Sequence, residues 1–213
     1  MMERIQVVFP FFSVEMHLIT KDGSPITSFS QLAGKRVIEG PEGSGTWISV
    51  QVIKALTNMK WQGFYASQAD GMKALMAGQA DAMFIVAGKP VKIIKDTPQA
   101  RVIPLQHPEL DKFNLYTKAL IPTGTYPGTK TSVQTYKVDN ALITYAFKNE
   151  RQKEISDMVT CITQNLGRLQ SETKQDGTAR FHPKWRDVDP TDINRVQWPV
   201  HPTAKAAINR VKR

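Results

Sequence analysis

"VIEGPEGSGTW", running from Val37 to Trp47, decides how the rest of the chain is read. Gly40 and Gly45 stand with four residues between them and Thr46 follows, which is the spacing of a phosphate-binding P-loop. A P-loop carries a lysine directly after the second glycine, as a point charge for the β- and γ-phosphates. Here Gly45 runs straight into Thr46, and the case for ATP hydrolysis fails. What remains is a glycine-rich turn between a short strand, "KRVIEG", and a helix. The first amides of such a helix have no intrahelical partner and its dipole favours negative charge, so this is a seat for an anion. Gly43 and Gly45 allow close approach of a ligand, Ser44 and Thr46 add hydroxyls, and a carboxylate suits the cradle better than a triphosphate. The same spacing also fits an ordinary glycine turn with Ser44 or Thr46 as the helix N-cap.

Outward from this loop, Ile48, Val52 and Leu56, backed by Ile53, predict an amphipathic helix to about Asn58. "QGFYAS" reads as a strand, and Ser67 followed by Asp70 as the capped start of a helix that Gly78 ends. "ADAMFIVAG" is an apolar run of the kind that fills the middle of a sheet. Pro90 opens a short helix, "ARVIPLQ" is a strand and "HPELDKFN" a short helix. This alternation from Lys35 to about Asn114 predicts a right-handed α/β lobe with parallel strands. Ahead of it, "RIQVVFPFFSVEMHLIT" reads as two extended pieces broken at Pro10. Behind it, "LIPTGTYPGTKT" reads as a crossing segment, "SVQTYKVDNALITYAF" as a strand, and residues from about Asn149 to Leu169 as a long helix with Ile155, Met158, Val159, Ile162, Leu166 and Leu169 inward. A turn-rich stretch carries Trp185 and Trp198, and a last helix opens at Pro202.

The composition excludes several classes. With 213 residues, 41% of them hydrophobic, the chain can build a folded core. It has no apolar run long enough to span a membrane, and "MMERIQVVFPFF" does not show the parts of a signal peptide. The single cysteine, Cys161, rules out an internal disulfide, and its helical spacing with Ile155, Met158, Val159 and Ile162 predicts a buried structural thiol. The net charge of +9 is concentrated at the end, where residues 180–213 hold eight Lys/Arg against three Asp. A solvated basic tail or a docking surface for an acidic partner accounts for this better than nucleic-acid binding. The four histidines, His17, His107, His182 and His201, are too scattered for a metal site, and no cofactor, metal or catalytic group is expected. Glu15 and His17 alternate in an apolar strand and so share one face. If that face lines a cleft they are ligand contacts, and if it faces water they are surface residues.

Taken in order, "SFSQLAGKRVIEGPEGSGTW", "DGMKALMAGQADAMFIVAGKPVKII", "YPG" and "VQWPVHPTA" resemble the TAXI family of TRAP-transporter solute receptors, over nearly all of the chain from Val8 onward. The resemblance implies an α/β, periplasmic binding protein type II-like fold and a non-enzymatic, periplasmic receptor. Such a receptor binds a small carboxylate or an amino acid such as glutamate and hands it to a TRAP membrane permease. It makes Gly43, Ser44, Gly45 and Thr46 the anion cradle, puts Glu15 and His17 near the crossing between lobes, and sets Ala87 and Gly88 at the cleft wall. It also implies one complete lobe with a mainly parallel sheet (24–118) and only the C-terminal part of the other (131–213). Residues 1–23 would then be an interlobe strand and 119–130 a hinge. Family members carry a further segment ahead of "VVFPFFSVEMHL", so a homodimer completing the partial lobe is a further expectation. Two other readings stand beside this one: a cytosolic effector-sensing module of the same fold, and an enzyme using Glu15 or a histidine as base.

Overall fold

A computed structural model describes residues 4–146 and 151–211. The far end of the strand read to Phe147, the helix start read at Asn149, and Lys212 and Arg213 of the basic end lie outside the described residues. The chain divides into two compact units. One is Val14–Val138, and the other is built from the chain on either side of it, up to Ser13 and from Asp139 onward.

The strands β1 (Ile5–Pro10) and β2 (Val14–Lys21) are the two extended pieces expected around Pro10. In the Val14–Val138 unit, β2 is joined by β3 (Arg36–Ile38), β4 (Gln62–Phe64), β5 (Ala82–Ala87), β6 (Ala100–Ile103), β7 (Thr117–Ile121) and β8 (Val133–Val138). The order is β4-β3-β5-β2-β8-β7, with β6 also on β2. β3 pairs in parallel with β4 and with β5. β5, β6 and β8 each pair antiparallel with β2, and β7 runs antiparallel to β8. The strands between Lys35 and Asn114 therefore do run in one direction, as their alternation with helices demands. The sheet is mixed because β2, inserted among them, and β7, at the edge beside β8, run in the opposite sense.

Period-2 alternation assigns the faces of this sheet. Met16, Leu18, Val37 and Phe84 enter one apolar cluster, with Val50, Ile53 and Trp61. Ile19, Ile38, Met83 and Ile85 enter a second, with Met72, Leu75 and Ile94. The helices α1 (Gly45–Thr57) and α2 (Gln68–Met76), and the short α3 (Lys92–Lys95) and α4 (Pro108–Asp111), cover the sheet. Ser67 caps α2 by accepting from the Asp70 amide, as read from the sequence.

α1 departs from its expected face. Thr46, Ser49, Val50 and Ile53 are buried, while Ile48 is exposed. Thr46 turns inward because its side chain has a partner there, its Oγ1 accepting from the Val86 amide at 3.0 Å, and the backbone of the same buried face is met at the Ser49 carbonyl, which accepts from Tyr116 Oη at 3.3 Å.

The expected lobe boundaries also move. Residues 14–21 are a central strand, and residues 119–130 are not a hinge. They comprise the end of β7 and the loop of a β7–β8 hairpin, in which Ile121 pairs with Val133. Pro122 ends the ladder there without taking the chain out of the unit. The chain changes units at Ser13/Val14 and Val138/Asp139.

In the other unit, β1 pairs antiparallel with β9 (Ala141–Tyr145). The single strand expected from Ser132 is thus two strands, one in each unit. The expected long helix is α5 (Gln152–Gln164) and α6 (Leu166–Ser171), separated at Asn165, whose amide and side chain both donate to the Cys161 carbonyl. Ile155 and Val159 of α5 pack with Val7, Val8, Phe9 and with Ala204, Ala207 and Ile208 of α7 (Pro202–Val211). Cys161 is exposed, which corrects the buried thiol expected for it. It lies on the stripe of Met158, also exposed, away from the face that Ile155 and Val159 turn to the core.

Candidate ligand-binding site

The glycine-rich loop leaves β3 at its C-terminal end. Gly40 has φ +82°, and a Cβ there would come within 2.9 Å of Thr46 Cβ, so backbone conformation and space both require glycine. Gly43 has φ +75° and makes the second reversal. Ser44 is then the N-cap of α1, its Oγ accepting from the Trp47 amide at 3.2 Å, and the Ser44 carbonyl accepts from the Ile48 amide at 2.9 Å. The amides of Gly45 and Thr46 make no hydrogen bond among the described residues. Gly43 and Gly45 are exposed and Ser44 half-buried. The two readings of the loop therefore coexist: it is a capped turn, and it leaves two oriented N–H groups at a helix N-terminus.

Ala87 and Gly88 follow at the end of β5. Because β3 and β5 are parallel, their C-terminal ends lie at the same end of the sheet as the loop. Glu15, opposite Ala87 in the β2–β5 ladder, is at that end as well. In open α/β sheets ligands bind outside the carboxyl ends of the parallel strands, where this loop stands. Thr46, buried below the loop, ties it to β5 through the Val86 amide.

Glu15 and His17 do share one face, but that face is interior. Glu15 is 1% exposed, and its carboxylate accepts from the Lys89 amide at 3.0 Å and from Lys89 Nζ at 2.7 Å, clamping the chain just past Gly88. His17 is fully buried. Its Nδ1 is 3.2 Å from the Ile85 carbonyl, which can only accept, so Nδ1 carries the proton. Nε2 then accepts from Tyr126 Oη at 2.8 Å, and that oxygen accepts from the Val91 amide at 3.0 Å. Burial lowers the His17 pKa to about 4, the carbonyl contact only partly offsetting the loss of solvent, and burial likewise pushes the Tyr126 phenol up to about 12.

Glu39, which the sequence reading passed over, anchors the loop from beneath. It is 1% exposed, and its Oε1 accepts from Lys54 Nζ and Trp61 Nε1, each at 2.7 Å, while Oε2 accepts from Gln51 Nε2 at 2.8 Å. A Cβ at Gly63 would lie 2.4 Å from Glu39 Oε1, so β4 needs glycine at that point to pass the carboxylate. The available signal was a charged residue ending an apolar strand, with Gln51 and Lys54 three apart on the next helix. Among the described residues, no three His, Cys, Asp or Glu side chains come together as a metal site, and no helix is long and apolar enough to cross a membrane.

The fold is that of the periplasmic binding proteins of type II. A periplasmic sulfonate-binding protein of an ABC transporter from Methylobacillus flagellatus superimposes with a TM-score of 0.57 at 12% identity, over 98% of this chain and 70% of that one. An arginine transport periplasmic binding protein from Legionella pneumophila gives 0.48 at 13% identity, over 77% and 60%. An arginine-bound amino-acid ABC transporter substrate-binding protein from Streptococcus pneumoniae gives 0.46 at 14% identity, over 96% and 63%. The chain thus spans between 60% and 70% of the length of these solved proteins. By sequence it belongs to the NMT1-like family, whose profile matches residues 1–207.

Proposed function

We propose that the chain is the non-enzymatic solute-binding part of an uptake system, acting outside the cytoplasmic membrane in the periplasm. The observation that carries this reading is the lysine-free loop Gly43–Thr46, which presents the Gly45 and Thr46 amides at the ligand end of a binding-protein sheet. The solute is a small carboxylate or an amino acid such as glutamate. Its carboxylate would sit on those amides and on the Ser44 hydroxyl, with Ala87 and Gly88 forming the adjacent wall. Glu15 and His17 act behind this surface: Glu15 holds Lys89, and His17 fixes β5 and the loop at Tyr126. The partner is a membrane permease, of the TRAP type by the resemblance of the loop and of "AGQADAMFIVAGKP" to TAXI receptors. The two-stranded β1–β9 sheet, with Ile143, Tyr145 and Trp198 exposed beside it, favours a homodimer through that unit.

Thermal shift and calorimetry against a panel of carboxylates, amino acids and sulfonates test the proposal. A ligand that binds the native state stabilises it by about 2.7 kcal/mol at a hundredfold excess over its Kd. Glutamate or a related carboxylate should raise Tm with the logarithm of its concentration, and Thr46→Val should weaken the effect while Thr46→Ser retains it. Absence of any shift up to millimolar ligand would overturn the binding assignment. Sedimentation showing only monomer at micromolar concentration would remove the dimer.

A further inference from the structure

We propose that the opposite end of the Val14–Val138 sheet carries a second anion site, a seat for a free oxyanion of sulfate or phosphate size. The site is a cavity of about 310 Å³ between the end of β2, the start of β6 and the start of β8, lined by Asp22, Thr27, Arg101, Thr129, Lys130 and Ser132 among others. Lys21 pairs with Ala100 there, at the far end of β2 from Glu15. No ligand assignment made for the glycine-rich loop reaches this end, so the two sites stand or fall separately.

The cavity is built rather than left over. Arg101 is fixed by one arm: Nη2 donates to the Ser24 carbonyl at 2.8 Å and the Ile26 carbonyl at 3.1 Å. Its Nη1 makes no hydrogen bond among the described residues, and its Nε–H is buried without a partner. The loop from Tyr126 to Lys130 is pressed onto the start of β6, since a Cβ on Gly128 would lie 2.8 Å from the Ala100 carbonyl oxygen. That contact seats Thr129 beside Arg101. Thr129 is 4% exposed, and its Oγ1 is a second buried group with no partner. Its backbone is held by the Thr129 amide donating to Tyr126 and the Gly124 amide donating to Thr129, each at 2.9 Å. Ser132 Oγ accepts from the Thr123 amide and keeps its own proton to donate.

Buried polar groups are normally paired, and each orphan costs stability, so two orphans on one polar cavity call for a missing partner. A partner that accepts from a guanidinium N–H, an ammonium and several hydroxyls at once is an oxyanion. Thr129 and Arg101 both line the cavity, and their unpaired Oγ1 and Nε are buried in its wall. Asp22 is the one acidic group on the lining, against Arg101 and Lys130, which leaves the seat net positive and tunes its affinity downward.

Calorimetry and thermal shift with sodium phosphate and sodium sulfate, balanced with chloride to constant ionic strength, test the site. Saturable binding is expected, weakened roughly tenfold by Lys130→Ala and by Thr129→Val and tightened by Asp22→Asn. Arg101→Gln should abolish it, but that variant also loses the Ser24 and Ile26 contacts. The exposed Lys130 and the near-isosteric Thr129→Val therefore serve as the folding-neutral controls. Without anion, Thr129→Val should melt no lower than the parent, because it removes an unpaired hydroxyl. Thr46→Val, at the other end of the sheet, should leave phosphate binding unchanged. A shift that chloride reproduces at equal ionic strength, or one indifferent to Lys130→Ala and Thr129→Val, would overturn the proposal.

Discussion

Tyr126 Oη lies 2.8 Å from His17 Nε2, deep in the β2–β5 sheet, and makes the imidazole the neutral, Nδ1-protonated form. A histidine whose pKa is about 4 when folded, against 6.5 when unfolded, is protonated more readily in the unfolded chain. Between those values the unfolded state holds the extra proton, so stability rises with pH across the window and is lost as pH falls from about 6.5 towards 4. The full effect is on the order of 3 kcal/mol. Urea unfolding at several pH values should show this slope, and His17→Gln should flatten it. Tyr126→Phe leaves the Val91 amide and Nε2 unpaired and should cost about 1–3 kcal/mol at neutral pH.

Glu39 stands in a different relation to its surroundings, as a buried charge held by three donors. Removing the carboxylate leaves Trp61 Nε1, Lys54 and Gln51 without their acceptor, so Glu39→Ala should destabilise by about 2–4 kcal/mol. The lower part of that range applies because Lys54 keeps 27% side-chain exposure and can regain water. Gly63→Ala should cost about 1–3 kcal/mol, since its Cβ must displace a carboxylate pinned on three sides. Guanidinium midpoints at neutral pH check both. A Gly63→Ala variant as stable as the parent would show that Glu39 can swing away, and the anchoring role would fail with it.

Legibility in the sequence followed the range of the interactions involved. The cap of α2 by Ser67 and the alternation along β2 are local, and they were readable as patterns of three residues and of two, whereas β5 read only as an unbroken apolar run. The faces of α1 were not readable, because a hydrophobic count points Ile48 inward while Thr46 is held inside by its partner on β5. Glu15 and His17 were correctly placed on one face, yet their partners, Lys89 and Tyr126, lie 74 and 109 residues away. No periodicity reports such pairs. The same holds for the insertion of β2 between β5 and β8, which sets the two crossings between units and displaced the hinge read at 119–130.

Gly40 separates the geometry of the cradle from its chemistry. An alanine there must hold φ near +82° and push against Thr46 Cβ at 2.9 Å. Gly40→Ala should cost about 1–3 kcal/mol and displace Thr46 from the Val86 amide, so ligand affinity and stability fall together. Ser44→Ala keeps the loop's shape; it loses the cap to the Trp47 amide, about 1 kcal/mol, and the hydroxyl offered to the carboxylate, while freeing a further N–H at the helix start. Thermal melts with and without a carboxylate ligand distinguish the two variants. Equal affinity in Gly40→Ala and the parent would mean that the loop's shape is not what the ligand reads.

Cys161 supplies a test of the other unit that requires no ligand. Its thiol is on the exposed stripe of α5 with Met158, while Ile155 and Val159 face the core. A thiol reagent added to the native protein should therefore modify one equivalent without denaturant, at a rate close to that in the unfolded chain. Cys161→Ser should leave the melting temperature within the range of ordinary surface substitutions, about ±0.5 kcal/mol in stability. Labelling that appears only above the unfolding midpoint would place the thiol inside, and the register of α5 against β1 and α7 would then have to rotate by one helical face.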